Sequence, residues 1–188
     1  MNKEDRKTID EWITSAQKYY KYDLPSKDKN YLIDIIEWYF ENDFKVERRS
    51  PKLIDPGLGQ DMAFEYYGKS SIPADMKKGM KAYAKAGDYA LFIAAYETNL
   101  EIKNAKGHLN TASNCFKDAE GLAKALKSPE EEWFQHIQKN LEIYYEVLTR
   151  SIDFNFLNFK YKTHEEHLKK NLKAIKGVDK TYKEITLA

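Results

Sequence analysis

The stretch SPEEEWFQHIQKNLEIYYEVLTR, Ser128 to Arg150, constrains the fold more than any other part of the chain. Ser128 is a good N-cap residue, Pro129 fits the first helical position, and Glu131 completes an S-x-x-E capping box. Glu130, Glu131 and Glu132 stand where the positive end of a helix dipole favours negative charge. Behind them Phe134, Ile137, Leu141, Tyr144, Tyr145 and Leu148 recur at helical spacing. An apolar stripe this long needs partner helices on more than one side. Its neighbours are striped in the same way, so the spacing predicts an all-α bundle built around this element.

The rest of the chain reads as a series of further helices. Ile9, Trp12, Ile13, Ala16 and Tyr20 form one stripe over residues 4–21. Pro25 ends that helix, and Ser26 caps a second over 27–43, with Leu32, Ile35, Ile36, Tyr39 and Phe40 inward. Residues 44–73 carry Pro51, Pro56, Gly57, Gly59, Gly68 and Pro73, and read as ordered loop with a short helix from Leu58 to Tyr67. Pro73 starts a helix to Ala86. Gly87 ends it and Asp88 caps the next, which runs to about Lys103 through Leu91, Ala94, Ala95, Thr98 and Ile102. The very short turn predicts an antiparallel hairpin. A helix over 108–126 follows, with Leu109, Ala112, Cys115, Phe116, Ala119, Leu122, Ala123 and Leu126 on one face. Residues 151–162 read as strand, through the alternation of Ile152, Phe154 and Phe156, or as helix, through Ile152, Phe156 and Phe159 continuing the Leu148 stripe; helix to about Phe159 is favoured because one strand has no partner in this chain. Thr163 and Glu166 form a second capping box for a last helix ending at Gly177, and 178–188 read as a loose tail. The expectation is one domain over 1–188, of about seven or eight helices.

Composition narrows the function classes. The formal net charge is +1, so no bulk electrostatic case exists for nucleic acid or membrane surfaces. The balance drifts from an acidic front, residues 1–75, to a basic tail, residues 151–188. One cysteine, Cys115, rules out an intrachain disulfide. The first residues, MNKEDRKTIDEW, lack the apolar core of a signal peptide, and no apolar run reaches membrane-span length. A cytoplasmic protein is the default reading.

Ala82 to Ile102, AYAKAGDYALFIAAYETNLEI, resembles a tetratricopeptide-type helical hairpin through Ala82, Tyr83, the turn Ala86-Gly87-Asp88-Tyr89, Ala95-Tyr96 and Leu100. A partial echo follows in Cys115, Phe116, Ala119, Leu122 and Ala123, without the Gly-Asp turn. A continuous repeat core needs at least about three repeats, so one hairpin points to a hairpin-built bundle rather than an array. The whole chain also looks like the all-helical immunity proteins of bacterial toxin–immunity systems, on its size, the absence of a signal, the Ala86-Gly87-Asp88 hairpin and the Ala-rich helix after it. That resemblance implies a cytoplasmic bundle that binds and blocks the catalytic domain of a toxin. The near-neutral charge argues against a basic nuclease as that target.

No residue set has the spacing of a catalytic, phosphate-binding or cofactor motif, and none is assigned to a cofactor. His164 and His167 lie i, i+3 on the last helix, but a metal site needs a further ligand and no HExxH spacing exists. They are read as surface, with a metal-dependent enzyme as the least favoured function. No Glu-x-x-His of the di-metal bundles occurs. His136 falls off the Phe134–Ile137–Leu141 stripe and reads as exposed, and His108 reads as part of a helix cap. Cys115 lies on the Ala-rich core stripe and reads as a small buried hydrophobe.

The strongest candidate surface is Asp34, Glu37, Trp38 and Glu41 on the second helix, extended by Tyr66 and Tyr67. The bland reading is a solvated polar face with one Trp at its edge. The functional one is an acidic, aromatic-anchored contact for a basic protein partner, since Trp and Tyr dominate binding hot spots. The leading expectation is a non-enzymatic protein-binding module that neutralises a toxin. The alternative is a tetratricopeptide-like adaptor for a peptide or protein.

Overall fold

Apolar side chains at helical spacing leave the backbone one economical way to satisfy its own hydrogen bonds, and among the described residues every regular element is an α-helix. The computed structural model describes residues 3–46, 73–99 and 105–152. Six helices are found there: α1 (Lys3–Tyr20), α2 (Ser26–Val46), α3 (Pro73–Asn99), α4 (Ala105–Ala125), α5 (Glu130–Lys139) and α6 (Leu141–Ser151). The expected helices at 58–67 and from Thr163, the tail 178–188, and the helix-or-strand question at 153–162 lie outside the described residues. No helix among the described residues is long and apolar enough to cross a membrane.

The core runs along the expected stripes. Ile9, Ile13 and Ala16 of α1 are buried, as are Leu32, Ile35, Ile36 and Tyr39 of α2, with Ile33 beside them. Ala112, Cys115, Phe116, Ala119, Leu122 and Ala123 of α4 are fully or almost fully buried. So are Phe134 and Ile137 of α5, and Tyr144, Val147 and Leu148 of α6.

Two expected helix boundaries fall differently. The first concerns Gly87 and Asp88, where no turn occurs: α3 runs unbroken from Pro73 to Asn99. The expected hairpin turn, on which both the tetratricopeptide-type and the immunity-protein resemblances drew, is therefore absent at that position. Gly87 has a different task. A Cβ built there would stand 2.8 Å from two ring carbons of Phe116, so the missing side chain lets α4 close on α3. Just beyond it, Ala90 to Ala95 are all buried, so α3 is enclosed on every side at mid-length. It packs against α2, α4 and α6, and is the central helix of the described residues.

The second lies in Ser128–Arg150, which is two helices rather than one. Asn140 interrupts it with φ −107° and ψ 9°. The Asn140 side-chain amide donates to the His136 carbonyl at 2.9 Å, competing with the helix backbone for its acceptor. The Tyr144 N–H still reaches the Asn140 carbonyl at 2.9 Å, so α6 follows with only one residue out of register. The capping box also does not form. The Ser128 hydroxyl bonds the Glu130 carboxylate instead of an N–H of the first turn.

Two helix ends use lysine where glycine is usual. Lys21 after α1 and Lys127 after α4 have left-handed φ of 58° and 51°. In each case the next N–H turns back five residues: Tyr22 to the Gln17 carbonyl at 3.0 Å, Ser128 to the Ala123 carbonyl at 2.8 Å. The first of these closures sets the direction in which the chain leaves α1 for α2.

Candidate functional site

The helix α2 carries Asp34, Glu37 and Trp38 on one side of its middle turns, as a 3.6-residue period requires. The structure brings these three together and supplies each with a partner. Arg6 of α1 donates to the Asp34 carboxylate at 2.9 Å and also pairs with Glu37. The hydrogen bond to Asp34 is the largest of the effects that push the Arg6 guanidinium further up from its ordinary value. Lys85 of α3 places its ammonium 3.9 Å from the Trp38 ring centroid, a cation–π contact. Tyr89, one turn along α3, meets Trp38 edge-on at 5.7 Å. The face is therefore acidic and aromatic as read, and basic as well. Arg6 and Lys85 were not anticipated, because nothing in a single sequence says which other helix lies alongside α2. Glu41 lies on α2 with its side chain outside the described set, and Tyr66 and Tyr67 lie outside the described residues.

One turn back on α2, Tyr31 donates its hydroxyl to Asp88 of α3 at 2.7 Å. The other Asp88 oxygen lies 4.0 Å from the Lys85 ammonium. Burial pushes the Asp88 carboxyl up to about 6, against the opposing effects of the Tyr31 bond and Lys85. Lys85 is pushed down, again by burial first. So Asp88, expected as a cap, is instead an interhelical acceptor adjoining the Trp38 face.

A second polar cluster joins the start of α2 to α5 and α6. Asp28 is 3% exposed, and both its carboxylate oxygens lie 2.9 Å from His136 Nε2. His136 was expected to be exposed. Its ring is instead half-buried, bonded to Asp28 and stacked on Trp133 at 5.5 Å. Trp133 also takes Lys27 over its face at 3.9 Å and meets Tyr31 edge-on at 5.4 Å. Tyr144 is completely buried under Tyr31, and burial followed by the Asp28 carboxylate pushes its hydroxyl upward. A sequence signal for this cluster existed. Asp28 stands four residues before Leu32 and in line with Ile35 and Tyr39, so an acid occupies a core position of the stripe.

The remaining candidates resolve into structural roles. His108, read as part of a cap, pairs with Glu97 at 3.2 Å across the connection between α3 and α4. Cys115 is fully buried, and burial pushes its thiol up to about 12, far from a reactive thiolate. A cleft of about 260 Å³ between α3 and α4, lined by Tyr83, Lys117, Asp118, Gly121 and Leu122, shares no residue with the Trp38 face. Among the described residues no group of three or more His, Cys, Asp or Glu is placed to hold a metal. His164 and His167 lie outside the described residues. No protein-family model, curated protein or solved structure matches the chain.

Proposed function

We propose that the chain is a non-enzymatic protein-binding module, and that it acts as an immunity protein which neutralises a bacterial toxin by covering it. One observation carries this reading: the outer side of α2 presents an aromatic and charged face whose side chains are already held in place. Trp38 is fixed between Lys85 and Tyr89, and Arg6 fixes Asp34 and Glu37. Side chains ordered before binding lose less entropy on association, and Trp and Arg are the residues that dominate binding energy. The charge ring of Asp34, Glu37, Arg6 and Lys85 steers encounter and sets partner choice more than it adds affinity.

Gel filtration and calorimetry with the product of the neighbouring gene test this. A one-to-one complex is expected, and Trp38→Ala is expected to weaken it by about 2 kcal/mol or more, the cost of a hot-spot truncation. A neighbouring product that is not toxin-like and forms no complex refutes the immunity assignment. A complex indifferent to Trp38→Ala and Arg6→Ala places the interface elsewhere.

A further inference from the structure

Lys85 is shared. Its ammonium lies over the Trp38 ring at 3.9 Å and 4.0 Å from an Asp88 oxygen, so one cation serves both the outer face and an interhelical carboxylate. Asp88 is tied from its other oxygen to Tyr31 at 2.7 Å and cannot follow Lys85 if the lysine moves. The groups that bear on Asp88 are Tyr31 and Asp34 of α2 and Lys85 of its own helix. Behind Asp34 stands Arg6 of α1. Behind Tyr31 lie Tyr144 of α6 and Trp133 of α5.

We propose that Asp88 is a proton-operated latch on Lys85, through which acidity regulates the Trp38 binding face. With Asp88 ionised, the ammonium is drawn between the carboxylate and the indole and is held there. Two cations, Arg6 and Lys85, then face three carboxylates, Asp34, Glu37 and Asp88. With Asp88 protonated, the Tyr31 bond persists, but Lys85 loses its anchor on the α3 side and the face gains one unit of positive charge. Burial supports a changeover in the accessible range, since it lifts this carboxyl to about 6. A basic partner is thus favoured above that pH and disfavoured below it. The use of the latch rests on the Trp38 face being the binding surface. The latch itself can be tested on the free protein, so it can fail while that reading stands, and the reverse.

The test is an NMR titration of the Trp38 indole N–H, assigned with Trp38→Phe, from about pH 4 to about pH 8. The expected result is a shift with its midpoint near 6 that disappears in Asp88→Asn and persists in Asp118→Asn, whose carboxyl lies on α4 away from Trp38. In Lys85→Met the Trp38 signal is expected to stay flat while the Asp88 carboxyl carbon still titrates, which separates the latch from a general loosening of the fold. A Trp38 signal that does not move in the wild-type chain overturns the proposal. So does one that moves with an unchanged midpoint in Asp88→Asn, or one that is unaffected by Lys85→Met.

Discussion

Helix α3 is gripped in two chemically opposite ways. Toward α4 the contact is close and apolar where Gly87 meets Phe116, on a helix whose Ala112, Cys115, Ala119 and Ala123 are also buried. Toward α2 part of the contact is polar, through the Tyr31–Asp88 bond, and α2 is held from α5 by a buried carboxylate, Asp28 on His136. Small residues fix how near two helices come, while hydrogen-bonded acids fix which residue lies opposite which. The Gly87–Phe116 contact carries no charge, and the charged groups between these helices, His108 with Glu97 and the Lys117–Asp118 cleft, are other residues. The polar one titrates, and it adjoins the proposed binding face.

The largest effect is expected on the polar side. Asp28→Ala removes the acceptor of His136 and leaves a buried void beside Tyr144. The lost His136 contacts and the void left in the core together cost about 3 kcal/mol. Urea unfolding measures it. A loss below about 1 kcal/mol would mean that the cluster is ornamental to stability.

Asp88→Asn works in the other direction. The folded chain holds the Asp88 proton up to about 6, above the ordinary carboxyl range, so the native state binds the proton more tightly than the unfolded one. Its stabilising contribution is complete below the unfolded value near 4 and is lost as pH rises through about 6. Asparagine keeps an acceptor for Tyr31 without the charge. The variant is therefore expected to gain about 2 kcal/mol over wild type at pH 8 and nothing at pH 4. A roughly hundredfold tighter hold on the proton, in which the Lys85 attraction is already counted, is worth at most ~3 kcal/mol, and solvent at the partly exposed carboxylate lowers this to about 2 kcal/mol. Thermal melts across pH check it. An equal gain at both ends would remove the charge argument.

The same contrast explains what could be read in advance. The dry contacts were legible: Ile9–Ile13–Ala16, Leu32–Ile36–Tyr39 and Cys115–Ala119–Leu122 are buried as their spacing requires. Periodicity reports which face is apolar, and burial follows from that alone. The polar contacts were not legible, because a bond such as Tyr31–Asp88 depends on how two distant segments are placed in register. Asp28 still left a trace, as an acid on a core stripe. Gly87 misled for a physical reason. Glycine before aspartate suits a helix end, but it suits a close helix crossing equally well, and only the Phe116 ring decides between them. Asn140 is the converse case, a helix break with no glycine or proline to announce it. Of the candidate face, Asp34, Glu37 and Trp38 were found from spacing, and Arg6, Lys85 and Asp88 came only with the fold.

Two glycine substitutions, at Gly87 of α3 and Gly121 of α4, have smaller effects. Gly87→Ala trades a helix-propensity gain of about 1 kcal/mol against overpacking of Phe116, whose buried ring has nowhere to go. A net loss of about 1–2 kcal/mol is expected, and Phe116→Leu in the same chain should recover part of it, since the two sites share one contact. Gly121 on α4 is the control. A Cβ there meets nothing within 4 Å, so Gly121→Ala should gain roughly 0.5–1 kcal/mol from propensity alone. Paired chemical melts of the two variants decide the matter. If both alanines stabilise, α3 and α4 do not approach as closely as the Gly87–Phe116 contact requires. If Gly121→Ala destabilises instead, the opening beside it in the cleft with Tyr83 and Leu122 is filled by something a methyl group displaces.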